Sequence, residues 1–452
     1  MPSAGALLNK VKGRLAGGGG SLLRGGAFVF LLRVAGAGLA YVAQVFIARW
    51  LGPYEFGLFS YGWALGGILA VPATLGLQTT FLRFYPTYRT RQQDRRAAGL
   101  VRFSIIAVMV GGVGVAIAAI AVLLIRVTPI PDHFAEPLMV GAMAIPLFAY
   151  VTLWRDAGRA LAAPVVAFAP REVAFNLMLI LGAVAVALLG FAPTAVVALG
   201  VTIGALLLTV VVQGVLLWRR LPNEVRTAQP HNERRMWLRV SLPLILVALF
   251  NEVTARADVL LVGIYLRPDD IAIYNAASRT ASLAEFVMTA TMALAAGRFA
   301  TLHADGDSEG LQRQLTQVVQ LTVWPTVALG LALAALGPWI MALFGATFTE
   351  GAGALAILAL AKVLFAARAP GTTILTMTGH QNVTAIVYGA TAAVNVLLNL
   401  VLIPLAGLEG AALSALISFA GSALAIHVIV RRRLDLSAFR VLPPLPRRRG
   451  AR

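Results

Sequence analysis

Apolar runs long enough to cross a lipid bilayer follow one another along almost the whole chain. About 30 Å of hydrocarbon needs roughly 20 apolar residues in a helix. Such runs lie at 28–48, 56–78, 101–125, 138–158, 168–190 and 195–217. They recur at 240–263, 272–297, 317–336, 351–376, 383–404 and 408–430. The pattern predicts an all-α integral membrane protein with about twelve transmembrane helices. The mixed stretch WRDAGRALAAPVVAFAPRE (154–172) reads as a tight turn with helical ends between the fourth and fifth spans.

The chain also repeats itself. LGPYEFGLFSYGWAL (51–65) aligns with LRPDDIAIYNAASRT (266–280), with an aromatic at the same offset, Phe59 and Tyr274. Each copy follows a span of the same direction and opens on a proline turn with an acidic residue. Two six-helix lobes in the same orientation follow, related by an axis along the membrane normal, with a cavity between them. The lobes are expected at 28–218 and 240–430, joined by a basic linker at 219–239. A flexible, amphipathic segment (1–27) precedes them, and a basic tail (431–452) follows. GGGGS in the first segment reads as a joint, and its short apolar stretch does not make a signal peptide.

Composition and charge sharpen this picture. Of 452 residues 59% are hydrophobic and only 12% charged, against about 25% charged in a soluble domain. The net charge of +18 is carried almost wholly by arginine, since Lys10, Lys12 and Lys362 are the only lysines. The arginines sort by loop. Arg83, Arg89, Arg91, Arg95, Arg96 and Arg102 flank the second connection, Arg219, Arg220, Arg226, Arg234, Arg235 and Arg239 the sixth, and two RRR runs the C-terminus. The intervening loops are poor in arginine. Strict alternation places both termini in the cytoplasm. No basic face alternates with stacking aromatics, so nucleic acid is not an expected partner. There is no cysteine, no HxxxH-like spacing of the five histidines and no GxxxxGK[ST] loop. No metal, cofactor or ATP-hydrolysing site is expected.

Candidate chemistry lies inside the spans. LILVALFNEVTARADVLLVGIY (244–265) carries Asn251, Glu252, Arg256 and Asp258 at its centre. At 100° per residue Glu252 and Arg256 share a face and can pair, while Asn251, Thr254 and Asp258 form a second strip. A charge at the bilayer centre costs roughly 2.5–3.5 kcal/mol. Two readings meet that cost: a buried ion pair that locks helices together, and a helix that lines a water-filled cavity. Arg33, Arg279, Glu285, Lys362 and Arg368 lie in other spans. Arg33, Arg256, Arg279, Lys362 and Arg368 are the candidate substrate-binding cations. Asn251, Glu252, Asp258 and Glu285 are the candidate coupling or ion-pair residues. Several interior cations suit an anionic ligand, because guanidinium binds phosphate in bidentate fashion.

GHQNVTAIVYGATAAVNVLLNLVLIPLAGLEGAALSALISF (379–419) resembles the last two helices of the polysaccharide and O-antigen flippases. These form the oligosaccharide branch of the multidrug/oligosaccharidyl-lipid/polysaccharide exporter superfamily. Gly379, Asn395, Asn399, the Ile403-Pro404 pair, Gly407, Gly410, Ala411 and Ala412 carry the resemblance, and LGPYEFGLFSYGWAL and IAIYNAASR extend it. It implies a V-shaped bundle of two lobes in a bacterial inner membrane. The implied activity is flipping of undecaprenyl-diphosphate-linked repeat units for lipopolysaccharide or exopolysaccharide, without enzymatic chemistry. Cavity arginines of the first and seventh helices would hold the diphosphate, and Arg33 and Arg256 match in placement. A lipid-linked glycan, the bilayer and a glycan polymerase or ligase are the implied partners. The competing reading is a cation-coupled multidrug exporter, which predicts an acidic cavity.

Overall fold

The computed structural model describes residues 19–125 and 131–437. Most of the expected N-terminal segment and the tail beyond Ser437 lie outside the described residues. Within them the chain is helical. The first half holds α1 (Gly19–Ala73), α2 (Leu77–Thr90), α3 (Asp94–Leu124), α4 (Asp132–Met143) and α5 (Ile145–Ala160). It continues with α6 (Pro164–Ala169), α7 (Phe175–Leu188), α8 (Ala195–Arg220) and the short α9 (Asn223–Thr227). The second half holds α10 (Arg234–Tyr265), α11 (Pro268–Ala281), α12 (Glu285–Ala304), α13 (Ser308–Ala335), α14 (Gly337–Ala342), α15 (Ala352–Met377) and α16 (Gln381–Leu434).

Nine segments among the described residues are long and apolar enough to cross a membrane. α10, with its polar centre, has the length as well at 32 residues. Two long helices are hairpins. α1 breaks at Gly52, whose φ of 76° only glycine adopts cheaply, and Pro53 restarts the helix. Ala40 and Gly67 then line one cavity, although in a straight helix they would stand about 40 Å apart. α16 breaks at Ala406 and Gly407. Ile386 and Ser422 line a single groove across that break.

Local chemistry fixes several ends. Thr194 accepts a hydrogen bond from the Val197 amide at the start of α8, and Glu55 reaches across from α1 to take the Ala195 amide at 2.6 Å. α11 opens with Pro268 at its first turn, and the Asp270 carboxylate accepts from the Arg267 amide. Asp307 caps α13 through the Gly310 amide at 2.7 Å.

The halves meet at one end and part at the other. A single apolar core joins the first half to Ile271, Tyr274, Phe344, Phe348, Leu355 and Ala411. These lie next to the arginine-poor connections. Phe299, Leu315, Ile374, Val387 and Val430, beside the opposite connections, form a separate core. The result is a V closed at the arginine-poor end and open at the basic end. At the closed end Gly57 abuts the Pro268 backbone so tightly that a Cβ would overlap its carbonyl. Arg49 Nε donates to the Leu343 carbonyl at 2.5 Å. Asn275 Nδ2 donates to Ser60 Oγ at 2.9 Å. Ser60 and Asn275 are equivalent in the aligned repeats, as are Phe59 and Tyr274. A direct bond between equivalent residues puts both beside the axis that relates the halves.

α10 belongs to both halves. Its first turn carries Trp237, fully buried, whose Nε1 donates to the Tyr88 hydroxyl at 3.0 Å. Tyr88 in turn donates to Glu233, which also pairs with Arg96 at 3.0 Å. Its later turns face α11 and α16.

Candidate functional site

Three connected cavities run along the axis, of about 480, 320 and 260 Å³. The first shares Arg171, Glu172 and Asn176 with the second, and Glu252 and Arg256 with the third. The second and third share Trp63, Arg279 and Glu285.

Arg256 sits at the junction. Its Nε pairs with Glu252 one turn back, as the spacing predicted. The guanidinium crosses to the first half and lies on Gly67, where a Cβ would stand 2.8 Å from its Cζ. Its Nη1 is buried with no hydrogen-bond partner among the described residues. Asn251 lines the same cavity. Asp258, on the other strip of α10, turns into the second half. It accepts from the Tyr274 hydroxyl at 3.0 Å and from Asn399 Nδ2 at 2.8 Å. Asn395 and Asn399, singled out by the motif, thus serve a buried carboxylate.

Lys362 Nζ pairs with Glu285 at 2.5 Å, and both line the third cavity. Arg279 lines two cavities and makes no hydrogen bond or ion pair among the described residues. Arg33 lines the second cavity and lies 5.4 Å over the Phe168 ring. Arg368 is not brought to these residues. It is 6% exposed, bonds Ser422 Oγ at 2.8 Å, and lies over the Phe365, Tyr388 and Phe419 rings at 4.4, 4.8 and 5.6 Å. Aromatic faces stabilise that guanidinium inside the second half. Lys362 and Arg368 are six positions apart, which puts them about 120° apart around α15.

Sequence reasoning missed two cavity arginines, Arg155 and Arg171, and the acid Glu172. The turn falls at Leu161–Ala163, so the fifth span starts at Pro164, earlier than expected. Pro170 has no amide to give the helix, and the chain passes through a π turn over Pro170–Ala174. That turn presents Arg171 and Glu172 to the cavity. Gly36 of α1 makes room for it, since a Cβ there would lie 2.6 Å from the Glu172 Cβ. Arg171 lies 4.2 Å over the Phe175 ring and has no ion pair among the described residues. The available signal was an Arg-Glu pair directly after a proline at the head of an apolar run.

The lining therefore carries Arg33, Arg155, Arg171, Arg256, Arg279 and Lys362 against Glu172, Glu252, Asp258 and Glu285. Six cations against four acids leave an excess of two positive charges when all are ionised. Walls of low dielectric strengthen that field. The arrangement suits a dianionic ligand held by several guanidinium groups. No group of three or more metal-ligating side chains occurs among the described residues.

A family profile described as polysaccharide biosynthesis protein matches residues 22–296. No curated protein matches the chain. Among solved structures, the chain is similar to an inward-facing multidrug resistance MATE family transporter of the MOP superfamily. The TM-score is 0.76 at 16% identity, covering 90% of this chain and 98% of that one. It is also similar to the lipid II flippase MurJ in an inward closed conformation, with TM-score 0.70, 13% identity and coverage of 90% and 87%. A MOP superfamily transporter from Pyrococcus furiosus, described as having a binding pocket of reverse polarity, gives TM-score 0.65 at 15% identity, covering 90% and 94%. At these identities the likeness establishes the fold alone: a two-lobed, all-helical architecture.

Proposed function

The chain belongs to the polysaccharide biosynthesis protein family, and from that premise we propose that it flips undecaprenyl-diphosphate-linked oligosaccharide repeat units. The movement runs from the cytoplasmic to the periplasmic leaflet of a bacterial inner membrane. The basic end, with both termini, faces the cytoplasm, and the chain crosses the membrane twelve times when each broken helix counts as two passes. The observation that carries this reading is the cationic cavity, open at the basic end, in which Arg171 and Arg279 have no ion-pair partner among the described residues. Guanidinium groups there take the diphosphate as it arrives from the cytoplasmic leaflet. The glycan occupies the aqueous cavity, and the polyprenyl tail stays in the bilayer beside the lobes. Rocking of the lobes about their axis then exposes the cavity to the other side. A glycan polymerase or ligase would take up the delivered unit.

A cation-coupled multidrug exporter is the second reading, favoured by the TM-score of 0.76 to a MATE family transporter. Cationic drugs would meet an excess of positive charge, which opposes their entry.

The test uses a strain lacking the gene but keeping its glycosyltransferases. Lipid-linked glycan should accumulate out of reach of an impermeant periplasmic modifying enzyme, and the restored gene should relieve it. A normal, accessible pool would overturn the reading. Coupling is assigned to the two interior pairs, Glu252–Arg256 and Glu285–Lys362, which would exchange partners between states. Glu285→Gln should abolish stimulation of flipping by an imposed proton or sodium gradient in proteoliposomes while leaving a slower, gradient-independent rate. Unchanged stimulation would make the Glu285–Lys362 pair structural.

A further inference from the structure

One wall of the second cavity is unlike the rest. Phe59, Trp63 and Phe175 all line it, and their ring planes are nearly parallel. Trp63 is tilted 15° from Phe59 with centroids 6.3 Å apart, and 20° from Phe175 with centroids 6.0 Å apart. Phe148 meets Trp63 edge-on at 4.4 Å and fixes its plane. Phe59 and Phe175 are buried in the apolar core, and Trp63 is the half-buried ring of the three.

The groups around the strip are hydrogen-bonding ones. Gln44 lines the cavity, and its side-chain oxygen is buried with no partner among the described residues. A buried amide oxygen left without a donor costs about 1–3 kcal/mol, so a ligand donor there is favoured. Asn176 gives its amide nitrogen to the Glu172 carbonyl at 2.8 Å. Its side-chain oxygen has no donor among the described residues. Arg171 and Arg279 line the same cavity.

We propose that Trp63, flanked by Phe59 and Phe175, is a stacking platform for a sugar ring of the substrate, with Gln44 and Asn176 accepting from its hydroxyls. The inference rests on the flippase reading and adds to it the residues that read the glycan. A pyranose has one face of C–H bonds and a rim of hydroxyls. The C–H face lies on an aromatic ring, and the rim needs acceptors of this kind. Two alternatives fit the wall less well. A polyprenyl tail would strand the guanidinium groups and the Gln44 oxygen without partners. A flat cationic compound would be repelled by Arg171 and Arg279. A sugar joined to a diphosphate instead satisfies the anion site and the strip together, because the two share one cavity.

The test measures binding to the purified full chain in lipid nanodiscs with two probes: undecaprenyl diphosphate, and the host's own lipid-linked glycan pool purified by ion exchange. The glycan-bearing lipid should bind wild type roughly ten-fold tighter than the bare diphosphate. Trp63→Ala should erase that difference, so that the two probes bind the variant equally. Trp63→Phe, which keeps a smaller ring, should retain part of it, and covers the case in which the alanine variant fails to fold. A Trp63→Ala protein that keeps the full ten-fold preference overturns the platform. So does a wild type that binds both probes equally, and in that case the flippase reading stands without it. A wild type that binds neither probe removes both.

Discussion

Arg256→Ala is expected to abolish flipping while leaving the protein inserted at normal abundance. The guanidinium stands where the first and third cavities meet, and its buried Nη1 has no acceptor among the described residues. A phosphate oxygen would supply one. A hydrogen bond to a charged group contributes about 1.5–3 kcal/mol, and a bidentate guanidinium–phosphate contact makes two. Loss of both corresponds to a fall of at least roughly 100-fold in affinity. The variant also leaves Glu252 unpaired beside the incoming anion, which adds repulsion. Arg256→Lys keeps the charge but not the fork, and should fall between the two. The measurement is the periplasmically accessible fraction of lipid-linked glycan in the deletion strain carrying each variant, with abundance read by immunoblot. Wild-type flipping by Arg256→Ala would reduce the Glu252–Arg256 pair to a structural one.

Gly57→Val should act at the other end of the molecule and should move the lobes. Gly57 touches the Pro268 backbone directly, and no side chain fits between them. Backbone on both sides leaves nothing flexible to yield, so the branched side chain must push the closed end apart. The hydrogen bonds there, Asn275 to Ser60 and Arg49 to Leu343, contribute about 1 kcal/mol each, and the apolar core around them must shift to admit the side chain. The halves should therefore close at the basic end. The chain has no cysteine, so spin labels can be placed at will. A label pair replacing Phe191 and Trp339 reports the arginine-poor end, and one replacing Arg91 and Asp305 the basic end. The first distance should lengthen and the second shorten relative to the parent. Unchanged distances would show that the contact does not hold the closed state.

How much was legible in the sequence depends on the length scale of the feature. The crossings were legible because a bilayer imposes about 20 apolar residues on every one of them. The repeat was legible too, and it proved structural: its equivalent residues Ser60 and Asn275 meet on the axis. The Glu252–Arg256 pair followed from helical spacing alone. Cavity membership did not follow in the same way. Arg33, Arg256, Arg279 and Lys362 reached the cavity, while Arg368 looked the same in sequence and lies among three aromatic rings of its own lobe. Arg171 was hidden because a π turn decides where it points, and that turn depends on the proline before it and on the space Gly36 leaves opposite.

The sequence by itself determined that this chain is a membrane protein of two repeated helical halves with cations at membrane depth. Apolar length, loop charge and helical period are local properties, and each is written in consecutive residues. Only the tertiary structure decided which cations share a cavity, which acid neutralises which, and which end of the V is shut. Those outcomes depend on contacts between residues more than 200 positions apart, such as Gly57 with Pro268 and Ser60 with Asn275. No local pattern encodes them, because a charge in a span is equally well satisfied by water, by a carboxylate or by an aromatic face, and packing chooses among the three.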